Sequence, residues 1–394
     1  MTQKAKEREL QGDTKVRVLA VATYAEIGGA EILLCEMLAG VMHSGINVTL
    51  LTFGDGPIAH RARELGLTVI VAPRVRMSRP LLVLHGVRRL RATIRESQPT
   101  VIHASNPKAQ LLARITSLRP TIPCTTQLLD PPMPGDRFAR ATKRLRGPRF
   151  AITAAAAEGW AHVVSGNRIH LITPGIDVQA QAAKALLGDA NRVWSDSGFP
   201  DAECHHRVVM VARLQRYKGQ FDFLDAVEIV REKFAIRALI IGPDEPLEPG
   251  LRNELASEIA RRNLGDVARL AGTLSTNDVA AVIANATLLV HPAHNETFGL
   301  VILEAIATGT PVVAYATAGP AEILQYGGGA LVPVGDHYQL ANLICSGLAD
   351  PEVLAKWQDE ALVASHRFTA DAMIERYVSV FRATSQSRPP GGSQ

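Results

Sequence analysis

Short, nearly continuous apolar runs alternate along this chain with longer stretches in which apolar positions recur every third or fourth residue. The opening run "KVRVLAVATY" reads as a buried strand. "GGAEILLCEMLAGVMHSG" follows as a helix with Ile32, Leu33, Cys35, Met37 and Leu38 on its apolar positions, so strand, glycine turn and helix begin a parallel α/β unit. The alternation continues through "INVTLLTF", "PIAHRARELG", "LTVIVAP", "LLVLHGVRRLRATIRESQ" and "TVIHAS". Strands this uniformly apolar are expected where helices cover both faces of a sheet. The pattern pauses over "QAAKALLGDANRVWSDSGFPDAECHHR", which is read as the inter-domain connection, and restarts with "VVMVARL", "KGQFDFLDAVEIVREK", "IRALIIG", "VARLAG", "DVAAVIANA", "TLLVHP", "GLVILEAIATG" and "PVVAYA". The expected architecture is therefore two doubly wound Rossmann-like domains, 1–190 and 191–367, facing across a cleft that is the natural ligand site. An amphipathic helix, "FTADAMIERYVSVFRAT", and a polar tail complete the chain over 368–394.

The length, 394 residues, fits two cores. With 47% apolar and 20% charged residues, the composition is that of a globular protein and excludes a disordered or fibrous one. No apolar run approaches the ~18 residues needed to span a bilayer. The first fifteen residues lack the apolar segment of a secretory signal, so a cytoplasmic location is expected. Cys35, Cys124, Cys204 and Cys345 stand far apart in no metal-binding spacing and are expected to be reduced. Charge changes the picture more. Residues 1–195 hold 26 Lys and Arg against 14 Asp and Glu, a balance of +12, while residues 196–394 hold 16 against 24, a balance of −8. A basic first half attracts anionic lipid, nucleic acid or phosphorylated substrates.

The densest chemistry lies in "HPAHNETFGLVILEAIATGTPVVA", His291 to Ala314. The apolar run before it predicts a strand, "HPAHNET" a loop, and a helix from about Phe298 or Gly299 to Thr308, with Gly309 as its left-handed cap. A helix start presents unpaired N–H groups and partial positive charge, which together favour a phosphate, and Gly299 lets that phosphate approach the backbone. Glu304 lies about 7.5 Å further along the axis at about 1.5 Å per residue, the scale of the gap between a diphosphate and its ribose. A carboxylate there accepts from two vicinal hydroxyls. Glu296, before the helix, is placed for the group beyond the diphosphate; the spacing alone equally allows a capping Glu296 and a solvated Glu304. "VARLQRYKGQ" adds Arg213 and Lys218 at a strand's carboxyl end, where two cations can neutralise a diphosphate leaving group. Gly28 and Gly29 in "EIGGAE" form a turn that lacks the GxGxxG fingerprint, against a nicotinamide cofactor. Asp-x-Asp is absent, and the HxxH of His291 and His294 has no third ligand in view, so neither a metal nor any other cofactor is expected.

These elements together, "ETFGLVILEAIATGTPVVA" with "ARLQRYKG" upstream and "GGAE" near the start, resemble the retaining glycosyltransferases of family 4, which have the GT-B fold. The resemblance implies metal-independent transfer of a hexosyl group from a nucleotide-diphosphate sugar to an acceptor hydroxyl, in polysaccharide, glycolipid or secondary-metabolite assembly. It assigns Arg213 and Lys218 to the diphosphate. Phe298, Gly299, Leu300 and Val301 are assigned to phosphate and ribose, Glu304 to the ribose hydroxyls, and Glu296 to the donor sugar. Gly28 and Gly29 would close on the donor from the first domain, which takes the acceptor, with His103 and Asp130 as acceptor-side candidates. The terminal helix would brace the first domain. Two positions depart from the family pattern: Leu129 stands where a histidine is usual before Asp130, and Pro174–Asp177 reads PGID where Asn-Gly-Val-Asp is usual.

Rival readings are a nucleotide-sugar epimerase on the same fold and a degenerate nucleotide-sugar-binding module. The arginine-rich segments of the first half are read either as solvated faces or as a peripheral contact with anionic membrane that reaches a lipid-linked or phosphorylated acceptor. Nucleic acid is not expected, because aromatic residues do not interleave with the arginines.

Overall fold

The computed structural model describes residues 16–23, 28–75, 79–116, 122–133, 135–143, 145, 147–164, 169–199 and 206–387. The chain divides into two compact units, Met1–Thr173 with Ala370–Gln394, and Pro174–Thr369.

The first unit contains β1 (Arg17–Ala22), α1 (Gly29–His43), β2 (Asn47–Phe53), α2 (Pro57–Glu64), β3 (Thr68–Ala72), α3 (Pro80–Ser97), β4 (Val101–Ala104), α4 (Pro107–Thr116), β5 (Cys124–Leu128), α5 (Arg137–Thr142), β6 (Arg149–Ala151), α6 (Ala154–Ala161) and β7 (Ile169–Leu171). The strands form one parallel sheet in the order β3-β2-β1-β4-β5-β6-β7. Leu19, Val21, Leu51, Leu90 and Leu112 form its buried core. The amphipathic terminal segment is a helix over Ala370–Gln386 that returns to this unit and packs on α1 and β4.

That helix explains one correction. His103, expected on the acceptor side, is fully buried on β4. Its ring lies 5.5 Å from Phe381, 5.9 Å from Phe150 and 6.0 Å from Tyr377, and its Nδ1 is 2.9 Å from Thr125 Oγ1. Burial holds its pKa down to about 4, so it is a neutral core residue with no route to a bound molecule.

The second unit begins with α7 (Val178–Leu187) and α8 (Ala190–Asp196). Then come β8 (His206–Val211), α9 (Gln220–Val230), β9 (Ile236–Ile241), α10 (Leu251–Arg261), β10 (Ala268–Gly272), α11 (Thr276–Ala284), β11 (Leu288–His291), α12 (Leu300–Ala307), β12 (Val312–Tyr315), α13 (Ala318–Leu324), β13 (Gly329–Val332), α14 (His337–Ala349) and α15 (Pro351–Ser365). Its parallel sheet, β10-β9-β8-β11-β12-β13, repeats the winding of the first. The division after Thr173 falls earlier than the expected boundary at 190. The segment read as a connection forms α7 and α8, which pack on α11. Asp278 ties them there, accepting from the Asp189 amide at 3.2 Å and from Arg192 Nη2 at 2.8 Å.

In each sheet the winding reverses once, between β1 and β4 and between β8 and β11. Loops leaving the carboxyl ends of such strand pairs diverge and open a crevice. The chemistry singled out in the sequence sits at those two places.

Candidate active site

At the second unit's switch point, the loop after β8 carries Arg213 and Lys218, and the loop after β11 carries Glu296. Two glycines bring the loops together. Gly219 adopts φ +82°, and a Cβ there would stand 1.9 Å from the carbonyl oxygen of Pro292, so only glycine allows the Lys218 turn to lie against the β11 loop. Gly299 adopts φ +88° as the N-cap of α12, so the backbone itself demands glycine where the sequence reading invoked phosphate approach. The His294 amide donates to the Tyr217 carbonyl at 2.7 Å, and the Gly319 amide of α13 donates to the Glu296 carbonyl at 3.2 Å.

The side chains converge in turn. Lys218 Nζ donates to Glu296 Oε2 at 2.7 Å, and His291 Nε2 lies 3.0 Å from the same oxygen. Burial alone would raise the Glu296 pKa, but the His291 contact and the Lys218 charge outweigh it and hold the carboxyl well below its usual range. Glu296 is thus an ionised carboxylate with Oε2 saturated. His291 is buried, with Nδ1 unpartnered among the described residues. Because an ionised Glu296 can only accept, it is His291 Nε2 that carries the hydrogen of this contact. Arg213 Nη1 donates to Glu245 Oε2 at 3.0 Å, and Gln215 Nε2 to the same oxygen at 3.0 Å, fixing one edge of a guanidinium that is otherwise exposed. His294 Nε2 and the Tyr315 hydroxyl meet Asp222 Oδ2 at 2.9 Å and 2.6 Å, bracing the loop from α9.

Glu304 stands alone. Its carboxylate accepts no hydrogen bond among the described residues, and burial pushes its pKa up to about 7, opposed only by the Lys184 charge from α7. Leu300 and Val301 open the first turn of α12, where a helix leaves their own N–H groups without an intrahelical acceptor, while the Ile302 amide donates to the Gly299 carbonyl at 2.9 Å. Phe298 is buried edge-to-face against Phe368, so its side chain is structural. Arg213, Lys218, Glu296, Gly299, Leu300, Val301 and Glu304 therefore all belong to one switch-point region of one unit, as the spacing implied. His291, Glu245 and Asp222 went unread as partners. The signal for His291 was its place at the end of an otherwise apolar strand; for Glu245 and Asp222, far away in sequence, there was none.

The first unit holds a pocket of about 320 Å³ at its own switch point. Asp130 and Leu129 line it, with Glu31, Asn106, Lys108, Gln127 and Trp160. Trp160 Nε1 donates to the Asp130 carbonyl at 2.8 Å, fixing the loop after β5, and the Gly28 amide donates to Glu31 Oε2 at 3.0 Å. Gln127 is buried, and its Nε2 has no partner among the described residues. Gly28 is extended at φ −141°, which any residue adopts, so the α1 turn does not require it. Among the described residues no group of three or more His, Cys, Asp and Glu side chains is arranged to hold a metal, and no helix is long and apolar enough to cross a membrane.

Comparison with known proteins places both units. The family model described as "Glycosyltransferase Family 4" matches residues 27–180, and "Glycosyl transferases group 1" matches residues 202–362. The D-inositol 3-phosphate glycosyltransferase 1 of Catenulispora acidiphila is 28% identical over 259 residues, 63% of this chain and 57% of that protein. The D-inositol 3-phosphate glycosyltransferase of Segniliparus rotundus is 30% identical over 220 residues, 55% of this chain and 47% of that protein. The chain thus spans about half the length of the curated relatives it matches. Among solved structures, Anabaena HepE in complex with UDP and glucose matches at TM-score 0.79 with 22% identity, covering 92% of this chain and 98% of that one. The sucrose-phosphate synthase of Thermosynechococcus elongatus matches at 0.75 with 17% identity, covering 93% and 98%. With two family matches on the two units and the same fold throughout, the chain belongs to glycosyltransferase family 4 and has the GT-B fold.

Proposed function

We propose that this protein transfers a hexosyl group, with retention and without a metal, from a nucleotide-diphosphate sugar to an acceptor hydroxyl. The observation that carries the reading is the meeting of Lys218 and Glu296 in front of α12, with Arg213 on the same loop as Lys218. Two fixed cations and a helix start suit a diphosphate, while the free oxygen of Glu296 suits a sugar hydroxyl and Glu304 the ribose diol. In the reaction the bond from the sugar carbon to the diphosphate oxygen breaks through an oxocarbenium-like state. The acceptor oxygen bonds to that carbon from the same face, and its proton passes to the departing diphosphate, so no separate strong base is needed. Arg213 and Lys218 act where charge develops on the leaving oxygen.

The pocket of the first unit is assigned to the acceptor, with Asp130 and Gln127 facing its hydroxyls. A lipid-linked or phosphorylated alcohol, reached through peripheral contact of the basic first unit with anionic membrane, fits that unit's charge. The relatives' name makes D-inositol 3-phosphate the first acceptor to test, and the UDP in the HepE structure makes UDP the first donor nucleotide to test. Thermal-shift titration with UDP, GDP, dTDP and ADP is expected to raise the unfolding midpoint for one of them. Incubation with the matching nucleotide sugars then separates the readings: slow donor hydrolysis supports a transferase, inversion of the sugar an epimerase, and binding without turnover a degenerate module.

His291→Leu is expected to lower turnover about tenfold while nucleoside diphosphate affinity changes less than about twofold, because Glu296 loses one of its two donors while the diphosphate cations stay. Steady-state kinetics beside a direct binding titration check this, and an equal loss in both would show that His291 merely supports the fold.

A further inference from the structure

We infer that one face of α3 is the surface by which this protein rests on an anionic lipid bilayer. The inference deepens the proposed membrane contact and rests on it, by naming the element. Helix α3 is about 27 Å long at about 1.5 Å per residue. Its inner side packs Val87 and Leu90 into the first unit. At about 100° per residue, positions 81, 84, 85, 88, 92 and 95 fall on the opposite side. Two leucines occupy the start of that stripe, Leu81 at 72% and Leu84 at 43% exposure. Arg88 and Arg95, both exposed, continue it, and neither forms an ion pair or side-chain hydrogen bond with any described residue. The arginines off the stripe differ: Arg89 pairs with Glu96 at 3.5 Å, and Arg91 donates to the Thr116 carbonyl at 3.1 Å. Helix α4 packs beside α3 and adds exposed Arg114 and Ile115 to the same unit.

A solvated helix face has no need of leucines, and two exposed leucines followed by uncompensated arginines form the pattern of a helix lying in a bilayer interface. Leucines enter the acyl boundary, while arginines, with long apolar stems and charged ends, reach lipid phosphates. Charge decides among occupants. The first half of the chain carries +12, so a cationic partner would be repelled, and the stripe offers no Phe, Tyr or Trp ring on which a base could stack.

The test is flotation of the full chain with vesicles of phosphatidylcholine, with and without phosphatidylglycerol, at low and high salt. Wild type is expected to float with the anionic vesicles and to be released by salt. Leu81→Asp/Leu84→Asp and Arg88→Glu/Arg95→Glu should each lower partitioning about tenfold or more. Leu186→Asp/Leu187→Asp, altering a still more exposed leucine pair outside any arginine stripe, should float as wild type does. All variants should keep the wild-type thermal shift with the donor nucleotide, which establishes that they fold. Wild type that ignores anionic vesicles overturns the membrane contact itself, as does wild type retained by polyuridylate but not by vesicles. Wild type that floats together with both α3 variants overturns α3 as its surface. Wild type that floats through α3 but hydrolyses no nucleotide sugar supports the surface and removes the transferase reading instead.

Discussion

Lys218→Met is expected to slow sugar transfer by about a hundred- to a thousandfold while donor affinity falls far less. The ammonium is held 2.7 Å from Glu296, largely shielded from solvent, at the mouth of a helix start. In the proposed reading, bound donor would already have its diphosphate charge spread over two phosphates and faced by the α12 N–H groups and Arg213. The additional charge appears only as the bond to the sugar breaks, and a positioned cation is worth most at that moment and in a site that water does not fill. Arg213→Met should be the milder change, because its guanidinium is more exposed and shares its charge with Glu245. Single-turnover rates measured beside a binding titration separate the two effects. A Lys218→Met enzyme with wild-type turnover would exclude Lys218 from leaving-group stabilisation, and a loss confined to affinity would make it a ground-state contact only.

How far this site was legible depends on the kind of residue. Strands and helices were readable because sheets covered on both faces need uninterrupted apolar strands, as in β11 and β12, both buried throughout. The closeness of Glu296, Gly299 and Glu304 was readable because they fall within one turn and one helix, where local geometry converts spacing into distance. The bonds between loops were not. Lys218 and Glu296 are 78 positions apart, and the contact that joins their loops depends on Gly219 lying under Pro292, a packing fact with no periodic signature. The same limit explains His103. On a strand, whether a polar residue faces core or pocket depends on what covers it, and its cover comes from Tyr377 and Phe381 at the far end of the chain. The boundary moved from 190 to 173 for a related reason, since α7 and α8 take their partner, α11, from later in the sequence.

Glu304 offers a prediction with opposite signs in the empty and occupied protein. With its carboxyl raised to about 7 by burial, the folded chain holds a proton there that the unfolded chain releases near the ordinary value of about 4.3. The unfolded state therefore binds fewer protons across this window, and the group's contribution to stability falls as pH rises from about 4.5 through about 7. Glu304→Gln removes the charge while keeping the shape. It is expected to stabilise the empty protein by on the order of 2 to 3 kcal/mol near about pH 8, and by little near about pH 5. Donor binding should respond the other way. An ionised carboxylate accepts from both ribose hydroxyls and an amide only partly replaces it, so Glu304→Gln should weaken a nucleotide sugar by about tenfold to a hundredfold near about pH 8. Wild-type affinity should rise with pH through about 7, while the variant stays flat. A nucleotide sugar is the right probe, because its esterified diphosphate has a fixed charge over that range. Unfolding midpoints and binding titrations at both pH values test the pair of effects. A destabilised variant with unchanged donor affinity would make Glu304 a structural residue, whereas stability gained together with affinity lost identifies a carboxylate kept poorly solvated so that the ribose can satisfy it.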